Sequence, residues 1–166
     1  EDVVAATDVL ERSLQQYPDS RNASVWLKIK GDIEATKDSW EEARNYYQQA
    51  IEINPDNAEL HISLGEVYME GLNQLDFAKK EFQAAIDLDP KSGKGYLLLG
   101  RLYSQNGYFE IADEYYHQAI NRNPGEKWWY LERAVNAEEA GKTQLAVEVY
   151  EDAISRFSGF SQAYHQ

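Results

Sequence analysis

Three histidines, His61, His117 and His165, are the side chains of this sequence best suited to proton transfer or metal ligation, and they stand far apart along the chain. Glu114 and His117 have the i, i+3 carboxylate–histidine spacing of di-iron bundles, but such a centre needs two of these motifs and further glutamates, and the motif occurs once. Gly93-Lys94-Gly95 carries a phosphate-loop lysine without the G-x-x-x-x-G-K-[ST] frame, and it reads as the start of a helix. Asp87-x-Asp89 opens like a calcium loop, yet Pro90 follows, and neither the loop glycine nor the closing glutamate stands at the later positions. The 29 carboxylates could supply acid and base groups, but with no pocket drawn between them they are composition and not a site. These residues predict no catalytic cluster, no metal and no cofactor.

The elements that carry them repeat. All four prolines, Pro18, Pro55, Pro90 and Pro124, follow the same kind of segment, AIEINP, AIDLDP and AINRNP being the clearest copies. Twelve residues before each proline stands an alanine, Ala6, Ala43, Ala78 or Ala112, and eight before it a large residue, Leu10, Tyr47, Phe82 or Tyr116. Five before it is Ser13, Ala50, Ala85 or Ala119, and four before it is Leu14, Ile51, Ile86 or Ile120. These offsets lie on one face of a 3.6-residue helix. Ahead of each such helix runs another: Tyr96, Leu99, Gly100 and Tyr103 fall at 0, 3, 4 and 7, with glycine where a second helix can come close. His61, Leu64, Gly65 and Tyr68 repeat the pattern. Trp26, Ile29, Lys30 and Ile33 are expected to do so with Gly31 slipped one place, and Tyr130, Arg133, Ala134 and Ala137 form the most altered copy. GLNQLD, NGYFE and Gly141 supply the glycine and asparagine that tolerate positive φ at helix ends. Proline cannot continue the second helix, while Asp56, Asn57 and Ser92 can cap the next first helix.

Composition narrows the partners. Of 166 residues, 43% are hydrophobic, enough for a core, and the formal charge of −13 has the wrong sign for counterion-release binding to nucleic acid or for anionic lipid. Charged partners should therefore be basic. The absence of cysteine excludes disulfides and thiolate chemistry and leaves the compartment open. The longest strongly apolar stretch, 96–100, is far shorter than the ~20 residues of a membrane span.

The period of about 34 residues, with leucine-glycine, tyrosine, alanine, aromatic, alanine and proline in step, resembles the tetratricopeptide repeat. The copy at 93–126 carries Tyr96, Leu99, Gly100, Tyr103, Gly107, Phe109, Ala112, Tyr116, Ala119 and Pro124. The resemblance implies an all-α fold, a right-handed superhelical solenoid of antiparallel helix pairs. Repeats are expected at about 23–57, 58–92, 93–126 and 127–160, the first two with one extra turn residue. A half repeat is expected at 1–18 and the start of a further helix at 161–166, in a piece of a longer protein.

In such solenoids the first helices line a concave groove through positions 2, 5, 6, 9, 12 and 13 of each repeat. The resemblance assigns to it Glu59, Ile62, Ser63, Glu66, Met69 and Glu70, then Lys94, Leu97, Leu98, Arg101, Ser104 and Gln105, then Trp128, Leu131, Glu132, Val135, Glu138 and Glu139. It implies a non-catalytic module that holds a protein or peptide with basic and apolar character as a scaffold or adaptor. The carboxylate clamp of some co-chaperones places lysine and asparagine at positions 5 and 9 of one repeat, asparagine at 6 of the next, and lysine and arginine at 2 and 6 of the third. Here those places hold Leu27, Gly31, Ser63, Lys94 and Leu98, with Lys28 entering if the first repeat shifts by one. Trp128 stands either on the groove rim or in the junction between repeats. Two other roles fit the sequence: a repeat segment of a larger enzyme, such as a glycosyltransferase or membrane-bound polysaccharide polymerase, and self-association through an incomplete C-terminal repeat exposing Phe157, Phe160 and Tyr164.

Overall fold

The computed structural model describes residues 21–157, together with Arg12. The half repeat expected at 1–18 and the helix expected at 161–166 lie outside the described residues, as do Phe160 and Tyr164. The described helices are α1 (Arg21–Ala35), α2 (Trp40–Ile53), α3 (Ala58–Glu66), α4 (Leu75–Leu88), α5 (Lys94–Gln105), α6 (Phe109–Arg122), α7 (Lys127–Glu139) and α8 (Thr143–Phe157). They divide between Asp89 and Pro90 into two compact bodies, α1–α4 and α5–α8. No strand occurs among the described residues.

Within each body the helices pair as first and second members of a repeat, and the pairing rests on one contact. A methyl group on Gly65 of α3 would lie 2.4 Å from Cε1 of Phe82 on α4, so the ring of the second helix occupies the space that a side chain on the first would fill. Gly100 and Tyr116 make the same contact between α5 and α6, and Gly31 and Tyr47 make it between α1 and α2. The alanines on either side of each ring, Ala43 and Ala50, Ala78 and Ala85, Ala112 and Ala119, are buried because only small residues leave room for it. Repeat four differs: Ala134 replaces the glycine, and Tyr150, only half-buried, packs against the cluster of Tyr130, Ala134 and Val149.

This contact corrects the expected register of repeat one. Gly31 has not slipped; it is the close-approach glycine, so the first helix reads Leu27, Lys30, Gly31 and Glu34. Leu27 is accordingly buried with Ala50 and Leu60, whereas Trp26 and Ile29 are only half-buried. Sixteen residues separate glycine from ring in repeats one and three and seventeen in repeat two. The additional residue is absorbed where α3 runs into a single π-helical segment, Val67–Gly71, with Leu72 N–H donating to the Val67 carbonyl five residues back at 3.0 Å. Gly71 there lies against the Trp40 ring with no room for a Cβ, and Asn73 takes the positive φ of 50° that lets the chain turn. The other turns use Asp38, Gly107 and Gly141 for the same purpose, at φ 58°, 77° and 71°.

The proline segments end the second helices in one way. Asn54, Asp89 and Asn123 each donate their backbone N–H to the alanine carbonyl four residues back, Ala50, Ala85 and Ala119, at 3.0, 2.9 and 3.0 Å. Proline follows as the residue that cannot add another turn. Asn57 then caps α3, its Oδ1 accepting from Glu59 N–H at 3.0 Å, and Ser92 Oγ accepts from Lys94 N–H at 3.3 Å. In the C-terminal body Arg122 closes the joint. It stacks 3.6 Å over the Tyr96 ring, and donates to the Pro90 carbonyl and to Tyr96 Oη, each at 2.8 Å.

Candidate partner-binding clefts

Each body presents a cleft along its first helices. In the C-terminal body, Trp128, Leu131 and Val135 recur at i, i+3 and i+7 on α7 and so share one face. They open onto a cleft of about 440 Å³ whose opposite wall is Arg101, Ser104 and Gln105 of α5. Trp128 is 62% exposed, and its neighbours turn inward: Tyr130 fills the core with its hydroxyl donating to the Pro124 carbonyl, and Trp129 packs over Gly93. The tryptophan is therefore a surface group on the rim, and the junction is filled without it.

Charge in this cleft is paired on one side only. Arg101 donates from Nε and Nη2 to the two oxygens of Glu132 at 2.7 and 2.5 Å, a bidentate bridge from α5 to α7. The remaining formal charge of the lining is the exposed carboxylate of Glu139. Tyr116 lies beneath; burial pushes its hydroxyl well above the ordinary tyrosine value, and the Glu132 charge adds to the shift. Asn136, 1% exposed, also lines the cleft. Its Nδ2 donates to the Phe109 carbonyl at 3.0 Å, while its Oδ1 has no hydrogen-bond partner among the described residues.

The N-terminal body has a cleft of about 400 Å³ with four carboxylates, Asp32, Glu59, Glu66 and Glu70, against one lysine, Lys28. Lys28 is turned to Asp32 at 3.1 Å, one turn along α1. Tyr47 donates to the same carboxylate at 2.7 Å, and burial first, then that hydrogen bond, raise its hydroxyl far above the usual range. Trp40 borders the cleft beside Thr36.

The groove residues expected from the sequence thus separate. Arg101, Trp128, Leu131, Glu132 and Val135 come together in one cleft, and Glu59 and Glu66 lie in the other. Ile62, Met69 and Leu97 are buried apolar side chains of the core. Lys94 stands half-buried in the first turn of α5 and lines neither cleft. Asp32, Trp40 and Tyr47 also line the N-terminal cleft and are not among the expected groove residues, which come from the first helices of repeats two to four. Sequence reasoning also missed Asn136, although the signal was present: the same place in the preceding repeats holds Val67 and Leu102.

The histidines do not converge. His61 lies between Glu81 and the Pro55 carbonyl, its Nδ1 2.7 Å from Glu81 and its Nε2 3.1 Å from Pro55 O. The Glu81 hydrogen bond raises its pKa, against the opposing effect of burial. His117 is exposed and pairs with Asn121 one turn on, so Glu114 and His117 form no ligand set. Among the described residues no three metal-ligating side chains come together, and no helix is long and apolar enough to cross a membrane. At the last described helix, Ile154 is 67% exposed, whereas Ile120, 34 residues earlier, is covered by Tyr130.

Comparison with known proteins agrees with this geometry. A family model described as TPR repeat matches residues 31–70, and one described as tetratricopeptide repeat matches 58–92 and 93–126. No curated protein matches the sequence. Among solved structures, the MamA protein superposes with a TM-score of 0.80 at 20% identity, covering 97% of this chain and 86% of its own. PilW, a type IV pilus biogenesis factor, does so with 0.81 at 22%, covering 95% and 71%. The first TPR of Spaghetti (RPAP3), bound to the HSP90 peptide SRMEEVD, gives 0.67 at 19%, covering 74% and 96%. At these identities the likeness is one of fold, all-α helix pairs.

Proposed function

The chain belongs to the tetratricopeptide repeat family, whose members serve as protein–protein interaction modules, and from that premise we propose that it holds a peptide segment of basic and apolar character along its first helices, as a non-catalytic adaptor. The observation that carries this reading is Trp128, a large aromatic ring left 62% exposed beside Leu131 and Val135 in an open cleft. Exposed aromatic anchors of this kind dominate binding energy at interfaces.

The charge balance supports the basic half of the reading. Both clefts carry more carboxylate than cation, and the overall charge of −13 would steer a basic partner toward them. The register set by Gly31 brings Lys28 to position 5 of repeat one but puts Asp32 at position 9, where the co-chaperone clamp has asparagine. A carboxylate there, already bonded to Lys28, opposes an acidic terminus such as that of the peptide bound by the RPAP3 domain.

Selection of a random dodecapeptide library on the chain tests the proposal. Binders are expected whose affinity falls ~30-fold or more in Trp128→Ala, in line with loss of an aromatic anchor, and weakens with added salt. A library that yields no binder, or binders indifferent to Trp128→Ala, refutes it.

A further inference from the structure

Asn136 is a polar residue in an apolar place. In the two preceding repeats its position is occupied by Val67 and Leu102, both buried in the core. A buried amide there costs stability unless both of its ends are satisfied, and only one is. The Nδ2–Phe109 bond does not explain the residue. The Phe109 carbonyl belongs to the first turn of α6, where the helix itself supplies a donor. What remains is an unpartnered acceptor, Oδ1, on a residue that lines the cleft carrying Trp128, Leu131 and Val135.

Its surroundings say what it would accept from. The Arg101 guanidinium is engaged bidentately by Glu132, and the next charge along α7 in the lining is the Glu139 carboxylate, one turn from Asn136 on the helix. The cleft therefore offers an amide oxygen and a carboxylate near an apolar strip, and once Arg101 and Glu132 are paired its remaining charge is negative, the uncharged donors Ser104 and Gln105 standing on the opposite wall. Resting on the groove reading above, we infer that Asn136 and Glu139 determine specificity by receiving a lysine or arginine side chain of the bound segment, whose adjacent apolar residue seats on Trp128, Leu131 and Val135. The chemistry required of the partner is an apolar side chain with a cationic hydrogen-bond donor close to it in sequence.

The test uses the whole chain, the dodecapeptide library, and the variants Asn136→Leu and Glu139→Gln. Peptides selected on the wild type should share a lysine or arginine near an apolar residue, and replacing that cation with norleucine should weaken binding at least ~10-fold, the scale of a hydrogen bond to a charged group. In each variant the ratio should shrink to about 2-fold, while the apolar preference persists. Asn136→Leu restores the residue type of the preceding repeats, so its thermal midpoint should hold or rise. Selected peptides lacking a shared cation would overturn this inference and leave the groove reading standing, whereas absence of any binder would overturn both. An unchanged norleucine ratio in Asn136→Leu, or a marked fall in its midpoint with that ratio intact, would make Asn136 a purely structural residue.

Discussion

Substituting alanine for the close-approach glycines sets two effects of opposite sign against each other. In a helix interior glycine-to-alanine is worth about 1 kcal/mol of stabilisation, because alanine restricts the unfolded chain and completes the helix surface. Here the added Cβ would stand 2.4 Å from the Phe82 ring at Gly65, 2.6 Å from the Tyr47 ring at Gly31 and 2.9 Å from the Tyr116 ring at Gly100. Real carbon contacts lie at about 3.5–4.0 Å, so the ring or the helix must retreat. Phe82 is fully buried and has nowhere to go, and Tyr47 is held by its bond to Asp32, whereas Tyr116 borders an open cleft. Overpacking of this kind costs about 1–3 kcal/mol. The net should be destabilising by ~1–2 kcal/mol at Gly65, somewhat less at Gly31, and near zero at Gly100. For a chain of 166 residues this corresponds to a fall of about 2–8 °C in the midpoint at Gly65. Thermal unfolding followed by circular dichroism measures it, and Phe82→Leu in the Gly65→Ala background should recover part of the loss. A rise in midpoint for Gly65→Ala, as helix propensity alone demands, would refute the packing argument, and so would a reversed order of the three sites.

Three further outcomes are expected. Trp128→Ala should change the thermal midpoint by less than its effect on peptide binding would suggest, since most of the ring faces solvent; equal losses in scanning calorimetry and binding would place it in the core. The His61–Glu81 pair should make stability pH-dependent: with the folded pKa raised, its contribution is complete below the ordinary histidine value of about 6.5 and is lost as pH rises through the higher folded value. Both ring nitrogens face acceptors, Glu81 and the Pro55 carbonyl, so only the imidazolium satisfies both. The midpoint difference between wild type and His61→Gln should therefore narrow as pH rises from below the ordinary histidine value through the higher folded one, and a constant difference contradicts the assignment. Arg101→Met should cost under ~1 kcal/mol, its side chain being 36% exposed, yet tighten binding of basic peptides by unmasking Glu132; unchanged affinity by isothermal titration would show that the cleft charge is not read.

Much of the fold was legible because the signals recur. The alanine, aromatic, alanine and proline offsets fix the second helices, and their structural counterparts, the ring on the glycine and the cap on the alanine carbonyl, repeat nearly atom for atom. Where a copy drifts, periodicity alone loses its footing. In repeat one Trp26 looked like the large residue at the start of the pattern, but the decisive constraint was the space above Gly31, a property of two helices and not of one. The site was less legible for a related reason. Ile62, Met69 and Leu97 lie at positions the family pattern turns toward the groove, yet burial depends on what neighbouring segments cover, which spacing does not encode. Trp128 and Trp129 are adjacent and alike in the sequence, and only the packing on Gly93 sends one inward. The acceptor on Asn136 stands out once Val67 and Leu102 are placed beside it.

The π-helical segment at Val67–Gly71 makes repeat two tolerant of a change in length. An extra residue in an ordinary helix rotates everything after it by about 100°, which would carry Phe82 away from Gly65. Confined to one wide turn and the Asn73 bend, the insertion is discharged before α4 begins, and the ring meets its glycine as it does in a repeat one residue shorter. The segment therefore acts as a slip joint, a place where this array can gain or lose a residue between mating surfaces without disturbing their phase.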